Sequence, residues 1–140
     1  MSAAGTAAPK PVVPFLKIEG EHAWLAGSKC GKCGTVFVGE RDTCAKCFAR
    51  GQMKDVKLAD TGRLYNFTVV HRNFPGVPVP FVSAIVDLDG GGVLKGNLVG
   101  IEPDSEKIKF DMPVKVVYRD AGSKDKEGNS YLAYFFEPAN

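Results

Sequence analysis

Four cysteines in two close pairs, Cys30-Gly-Lys-Cys33 and Cys44-Ala-Lys-Cys47, constrain this chain more than any other feature. A C-x2-C pair on a tight turn aims both sulfurs at one point, and two such turns complete the tetrahedral four-thiolate shell that Zn²⁺ prefers. The ten residues between the pairs, Gly34 to Thr43, hold a β-prone Thr-Val-Phe-Val run followed by turn residues, which is enough for a short hairpin. The expected unit is a rubredoxin-like zinc ribbon over residues 29–52, with Cys30, Cys33, Cys44 and Cys47 as metal ligands. A closed four-sulfur shell leaves no position for water or substrate, so the expected cofactor is one structural zinc per chain. In zinc-finger peptides such a site contributes roughly 10–16 kcal/mol of apparent binding energy, most of the folding energy of so small a segment. Two disulfides are the alternative use of the same residues, but adjacent C-x2-C pairs in a chain without a secretory signal favour metal. Either use commits all four thiols and leaves no cysteine nucleophile.

At 140 residues the chain fits one domain, or a small module attached to a modest one. Its 18 basic and 16 acidic residues give a net charge of +2, which is no nucleic-acid signature. A light basic cluster, Lys29, Lys32, Lys46 and Arg50, falls in the ribbon, where it reads first as a solubilising surface. Residues 1–14 are Ala/Pro-rich with Lys10 as the one charge and no apolar stretch behind them, and read as a disordered leader rather than a signal peptide. The longest apolar run, Val77 to Val86, is broken by Pro78 and Pro80 and is too short to span a bilayer. A cytoplasmic protein without membrane contact is expected.

Residues 15–28 carry Phe15, Ile18, Ala23, Trp24 and Leu25 near one stripe, so a short helical segment weakened by Gly20 is expected. Trp24 is either a packing residue or a partner contact. Beyond the ribbon, residues 53–140 turn to a β pattern. Strands are expected at Leu64–Arg72, Phe81–Leu88, Val93–Val99, Val114–Tyr118 and Tyr131–Phe136, with Asp89-Gly-Gly-Gly92 as a hairpin turn. Five short strands suit a small closed barrel of the OB type, so the fold class is mostly β: helical leader, zinc ribbon, five-stranded OB barrel. The last strand is apolar on both faces and needs a cover, from the leader or from another protein. The loop Asn73-Phe-Pro-Gly-Val-Pro-Val-Pro80 is stiffened by three prolines and serves either interaction or packing.

Leader, four-cysteine ribbon and barrel, in that order, resemble the zinc-ribbon/OB-fold acyl-CoA-associated proteins. Gly62-Arg-Leu-Tyr-Asn-Phe-Thr-Val-Val-His-Arg72, Val86-Asp-Leu-Asp-Gly90, Asn97-Leu-Val-Gly100 and Met112-Pro-Val-Lys-Val-Val117 carry the resemblance further. Two places depart from it: Phe48 follows the second cysteine pair and Asp111 precedes Met-Pro-Val, where the family tends to have glycine. Asp tolerates left-handed backbone, so the barrel turn is expected to hold at Asp111, whereas at Phe48 either a looser knuckle or a ring that serves as a contact is expected. The resemblance implies a non-catalytic accessory subunit of a thiolase-type complex that makes or cleaves a β-ketoacyl-CoA, with a thiolase-fold catalytic partner in an α2β2 hetero-oligomer. Such chemistry uses a cysteine nucleophile and a second proton-moving group. With its cysteines committed and only His22 and His71 besides, the chain is expected to hold no catalytic residue, His71 being a structural strand residue first and a proton relay second. Its role is then assembly and enclosure of the CoA channel, with Arg72, Asn73 and Phe74 as candidate contacts to CoA. Two alternatives stand beside this: an OB barrel binding single-stranded nucleic acid through Tyr65, Phe67 and Phe74, and a scaffold linking two CoA enzymes. Asp87, Asp89 and Asp104 around the barrel oppose the first.

Overall fold

In the computed structural model, which describes residues 9–139, the regular elements among the described residues are all strands. Alternation decides the barrel. In β7 (Phe81–Leu88) the side chains of Val82, Ala84, Val86 and Leu88 are buried and those between them are not, the period of two expected of a strand with one face inward. β6 (Thr61–Val70) turns Leu64 inward, β8 (Val93–Leu98) Leu94 and Leu98, β9 (Pro113–Lys124) Val114 and Val116, and β10 (Ser130–Pro138) Phe136, while Ala133 of β10 is buried on the opposite face.

Pairing runs β8-β7-β6-β9, and β10 joins β9 to β8, so the sheet closes on itself. Counted along the chain this is the order 1-2-3-5-4-1 of an OB barrel, as expected. The closing contact is parallel and short: Phe136 faces Leu98, and its carbonyl accepts the Val99 N–H at 2.7 Å. A register shift between Leu64 and Asn66 bends β6 and leaves Tyr65 in solvent. Gly62 lies where β6 crosses closest to β7; a Cβ there would sit 2.4 Å from the Asp87 carbonyl oxygen and 2.8 Å from Val86 Cγ1. Gly62→Ala is therefore expected to lower stability by about 1–3 kcal/mol, read from its urea midpoint, because backbone rather than a flexible side chain has to yield.

The helical segment expected over residues 15–28 is instead a β-hairpin, β2 (Leu16–Glu19) and β3 (His22–Cys30). The same apolar residues fit a period of two, with Leu16 opposite Leu25 and both buried, and Gly20 at φ +62° starts the two-residue reversal between Glu19 and His22. β3 then carries the ribbon. β4 (Val36–Val38) pairs with its second half on one edge, and β5 (Met53–Lys57) on the other. Ala26 marks the change of partner on the first edge, donating its N–H to Phe15 O at 2.7 Å and accepting from Gly39 N at 3.0 Å.

Of the leader expected to be disordered, residues 1–8 lie outside the described residues. Lys10–Pro11 form β1, a parallel strand beside Tyr131 and Leu132 of β10. Val12 N–H reaches Leu132 O at 3.0 Å and the Phe15 ring packs 5.8 Å from that of Tyr134. The leader, in β rather than helical form, thus lies along the edge of the last strand and against Tyr134, on the face that Tyr134 shares with the core residue Phe136. Lys10 Nζ closes the clasp on Asp125 at 2.6 Å, and that ammonium, with Asn129, holds the carboxyl well below the usual carboxylate range.

The two lobes meet at the β7–β8 turn. Gly90, Gly91 and Gly92 all have positive φ, and a Cβ on Gly91 would come 2.7 Å from Val36 Cβ of the ribbon. Leu16 and Leu25 belong to the same buried cluster as Leu64, Val86 and Phe136, so one core serves both lobes. No helix among the described residues is long and apolar enough to cross a membrane.

Candidate metal centre

The two C-x2-C turns are built alike, bond for bond. In the first, Cys30 N–H donates to Thr35 O and Gly34 N–H returns to Cys30 O, each at 2.9 Å, while the Lys32 and Cys33 amides point at Cys30 Sγ from 3.4 and 3.5 Å. In the second, Cys44 N–H donates to Ala49 O at 3.0 Å and Phe48 N–H returns to Cys44 O at 2.9 Å, with the Lys46 and Cys47 amides 3.4 Å from Cys44 Sγ. Amides aimed at sulfur stabilise a thiolate rather than a thiol.

The turns face each other so that Cys30 Sγ lies 3.7 Å from Cys47 Sγ and Cys33 Sγ 3.6 Å from Cys44 Sγ, all four within 4.8 Å of one another. A disulfide needs sulfurs about 2.05 Å apart. A tetrahedron with Zn–S of about 2.3 Å has edges of about 3.8 Å. The four cysteines therefore fit a single metal ion such as zinc and do not fit two disulfides. Cys30 and Cys44 are buried, Cys47 half-buried and Cys33 exposed, so such an ion would sit at the surface with its back to the ribbon.

The protonation behaviour of the sulfurs agrees. The Thr35 hydroxyl, 3.2 Å from Cys33 Sγ, and the Thr35 backbone hold that thiol down at about 6. The backbone of Cys33 lowers Cys30. Cys47 goes the other way: against the lowering effect of the Ala49 backbone, burial and the three facing sulfurs push it up to about 11. Close sulfurs cannot all ionise together without a cation among them, and a divalent ion removes that conflict.

Asp111 adopts φ +64° as expected; Phe48 adopts φ +65° and keeps the 2.9 Å return bond of the first turn, so its knuckle is not looser. An L-residue in this region costs roughly 1–2 kcal/mol, less for Asp than for Phe. Asp111 has its N–H bonded to Leu64 O at 2.7 Å and so helps close the barrel. The Phe48 ring is 76% exposed.

Arg72, Asn73 and Phe74 fall on the exposed loop after β6, where Asn73 Oδ1 accepts the Phe74 N–H at 2.8 Å and Phe74 stands 81% exposed. This loop leaves the end of β6 and β7 opposite to the Gly90–Gly92 turn that touches the ribbon, so the structure does not bring the three residues to the metal centre. His22, at the start of β3, and His71, one residue beyond β6 and not on the strand expected for it, are both exposed. Two features escaped the sequence reading. Thr35, beside Cys33, was signalled only by its place two residues after a ligand. Phe110, an exposed ring 5.3 Å from that of Phe67, had no local signal at all.

Comparison with known proteins agrees with this architecture. The family described as "ChsH2, C-terminal OB-fold domain" matches residues 55–119. A DUF35 domain-containing scaffold protein of Methanocaldococcus jannaschii is 31% identical over 121 residues, covering 84% of each chain. A probable enoyl-CoA hydratase alpha subunit of Thermomonospora curvata is 32% identical over 81% of this chain and 38% of its own length. Benzoylsuccinyl-CoA thiolase subunit BbsA of Geobacter metallireducens is 29% identical over 50% of this chain and 47% of its own. Among solved structures, a chain of the Ltp2-ChsH2(DUF35) aldolase is 31% identical with a TM-score of 0.65, covering 84% of this chain and 86% of that one. With its ribbon, its barrel and this near-full-length likeness, the chain belongs to the DUF35 scaffold-protein family.

Proposed function

We propose that this chain is a non-catalytic accessory subunit of a thiolase-type acyl-CoA enzyme, held in shape by one structural zinc on Cys30, Cys33, Cys44 and Cys47. The observation that carries the reading is the commitment of every thiol in the chain to one centre. A thiolase needs a cysteine nucleophile, so the reacting cysteine belongs to another polypeptide. Support comes from relatives whose names place them in a thiolase, a hydratase and an aldolase, all but the last naming CoA thioesters. The reaction is formation or cleavage of a β-ketoacyl-CoA, with benzoylsuccinyl-CoA as the named candidate. A thiolase-fold subunit in an α2β2 assembly in the cytoplasm is the partner arrangement that fits.

In that arrangement Arg72, Asn73 and Phe74 contribute to the CoA channel. A guanidinium meets phosphate oxygens in pairs, and an exposed aromatic supplies apolar wall. The second reading, a scaffold that joins two CoA enzymes, is favoured by the scaffold description of the Methanocaldococcus jannaschii relative. The native complex distinguishes the two by whether it contains one kind of catalytic subunit or two.

The test is reconstitution. Purified chain is expected to show no CoA-thioester turnover, and the catalytic subunit alone is expected to lose most of its activity and regain it when the chain is added. Arg72→Ala is expected to raise KM for CoA several-fold in the reconstituted enzyme with kcat little changed, the pattern of a lost binding contact. Full activity of the catalytic subunit alone, or turnover by this chain alone, would sink the proposal.

A further inference from the structure

The two matched turns of the metal centre differ at one place. Gly34 and Phe48 occupy equivalent positions, at φ +81° and +65°, each returning its N–H to the carbonyl of the leading cysteine at 2.9 Å. Glycine takes this conformation freely, whereas phenylalanine takes it against its own Cβ. Nothing within the described residues rewards the exchange, for the ring is 76% exposed. A strained backbone that holds a bare aromatic in water costs the isolated chain twice over, and such outliers gather where function overrides local preference. The surroundings are basic. Lys46 and Arg50 flank Phe48 and Lys32 tops the opposite turn; all three are exposed and none takes part in an ion pair among the described residues.

Resting on the accessory-subunit reading above, we propose that Phe48 is the anchor by which the ribbon docks on its catalytic partner. Its ring enters an apolar socket on that subunit, and the rim of the socket is acidic, facing Lys32, Lys46 and Arg50. The sulfur-bound turn presents the ring on a rigid base, so little side-chain and no loop entropy is lost on docking. The three basic side chains steer approach and orientation more than they add affinity.

The native complex, purified through a tagged copy of the full chain and identified by turnover of a CoA thioester, supplies the catalytic subunit as the probe. Rebinding of that subunit is measured for the wild type, Phe48→Gly, Phe48→Ala and the pair Lys46→Glu/Arg50→Glu. Both Phe48 variants are expected to weaken binding at least tenfold. Phe48→Gly is expected to keep metal content and melting temperature at or above wild type, because glycine relieves the strain. Phe48→Ala keeps the strain and loses the ring, so equal losses in the two variants assign the effect to the ring. The double charge reversal is expected to slow association, most at low salt. Rebinding of Phe48→Gly within twofold of wild type overturns the anchor, as does a loss of binding that merely follows loss of metal. Self-association of the wild-type chain that Phe48→Gly abolishes overturns the choice of partner. Failure of the wild type to co-purify with any CoA-thioester enzyme overturns the accessory-subunit reading itself, a result distinct from a complex indifferent to Phe48.

Discussion

Removing the metal by chelation, or replacing Cys44 by serine, is expected to unfold residues 31–52 while the barrel stays folded. Between Gly31 and Gln52 the one buried side chain is Cys44, and the regular structure is the three-residue β4 and a single bridge between Thr43 and Arg50. A segment so poor in apolar burial cannot offset its own chain entropy. The folding energy therefore comes from the ion, roughly 10–16 kcal/mol in comparable four-ligand peptides. The shared core around Leu64, Val86, Val114 and Phe136, with Leu16 and Leu25 of the hairpin, takes no buried side chain from residues 31–52. Amide exchange should show protection lost over 31–52 and kept over β6 to β10, with four thiols becoming reactive. Acid should act in the same direction, since the ligands bind as thiolates. Cys33, held at about 6 against the ordinary 9.0, has that sign, its contribution complete above pH 9 and lost as the pH falls through about 6; Cys47, pushed up to about 11, has the opposite sign, so the direction is set by the thiolates that the ion needs. Protected amides across the ribbon in chelated protein would contradict this account.

Phe136→Ala is expected to cost about 3–5 kcal/mol, a large share of what a domain of this size has to lose. The side chain is fully buried at the seam where the barrel closes, with Val116 beside it on β9 and Leu98 on β8. Its ring fills the space that the absent side chain of Gly96 leaves open, where an added Cβ would lie 2.9 Å from Phe136 Cε2. Tyr134 packs edge-on to it with centroids 6.2 Å apart. The parallel pairing at this seam is a single residue pair, so backbone bonds cannot compensate for a lost ring. A urea midpoint that falls with an unchanged slope would show stability lost from an intact fold. A cost below about 1 kcal/mol would mean the surrounding side chains had collapsed into the gap.

The barrel was legible because β7, the first half of β9 and the ends of β8 alternate and the Asp89–Gly92 turn marks a hairpin. Phe81–Leu88 coincides with β7, and the other four expected strands lie within or overlap their counterparts. The convergence of the four cysteines was legible from spacing alone, since two turns of the same build face each other. The Leu16–Cys30 hairpin was not legible. Ile18, Ala23 and Leu25 satisfy a helical stripe as well as a strand face, and what settles the matter is the burial of Leu16 and Leu25 in a core contributed by residues far along the chain. β5 was hidden for the same reason, because Met53–Lys57 carries little apolar pattern and owes its form to the free edge of β3. The contact residues Arg72, Asn73 and Phe74 were chosen from chemistry, which says what a side chain can hold and not what stands opposite it.

β3 enters the interior at Leu25 and ends on Cys30, a member of the four-cysteine cluster five positions later, roughly 17 Å away at strand rise. It is flanked by partners on both edges for most of that length, so it behaves as a stiff rod with one end set in oil and the other in sulfur. A load applied at the tip is therefore delivered to the interior without slack. Whatever grips the ribbon also fixes the orientation of the barrel, and a single foothold sets the pose of the entire molecule.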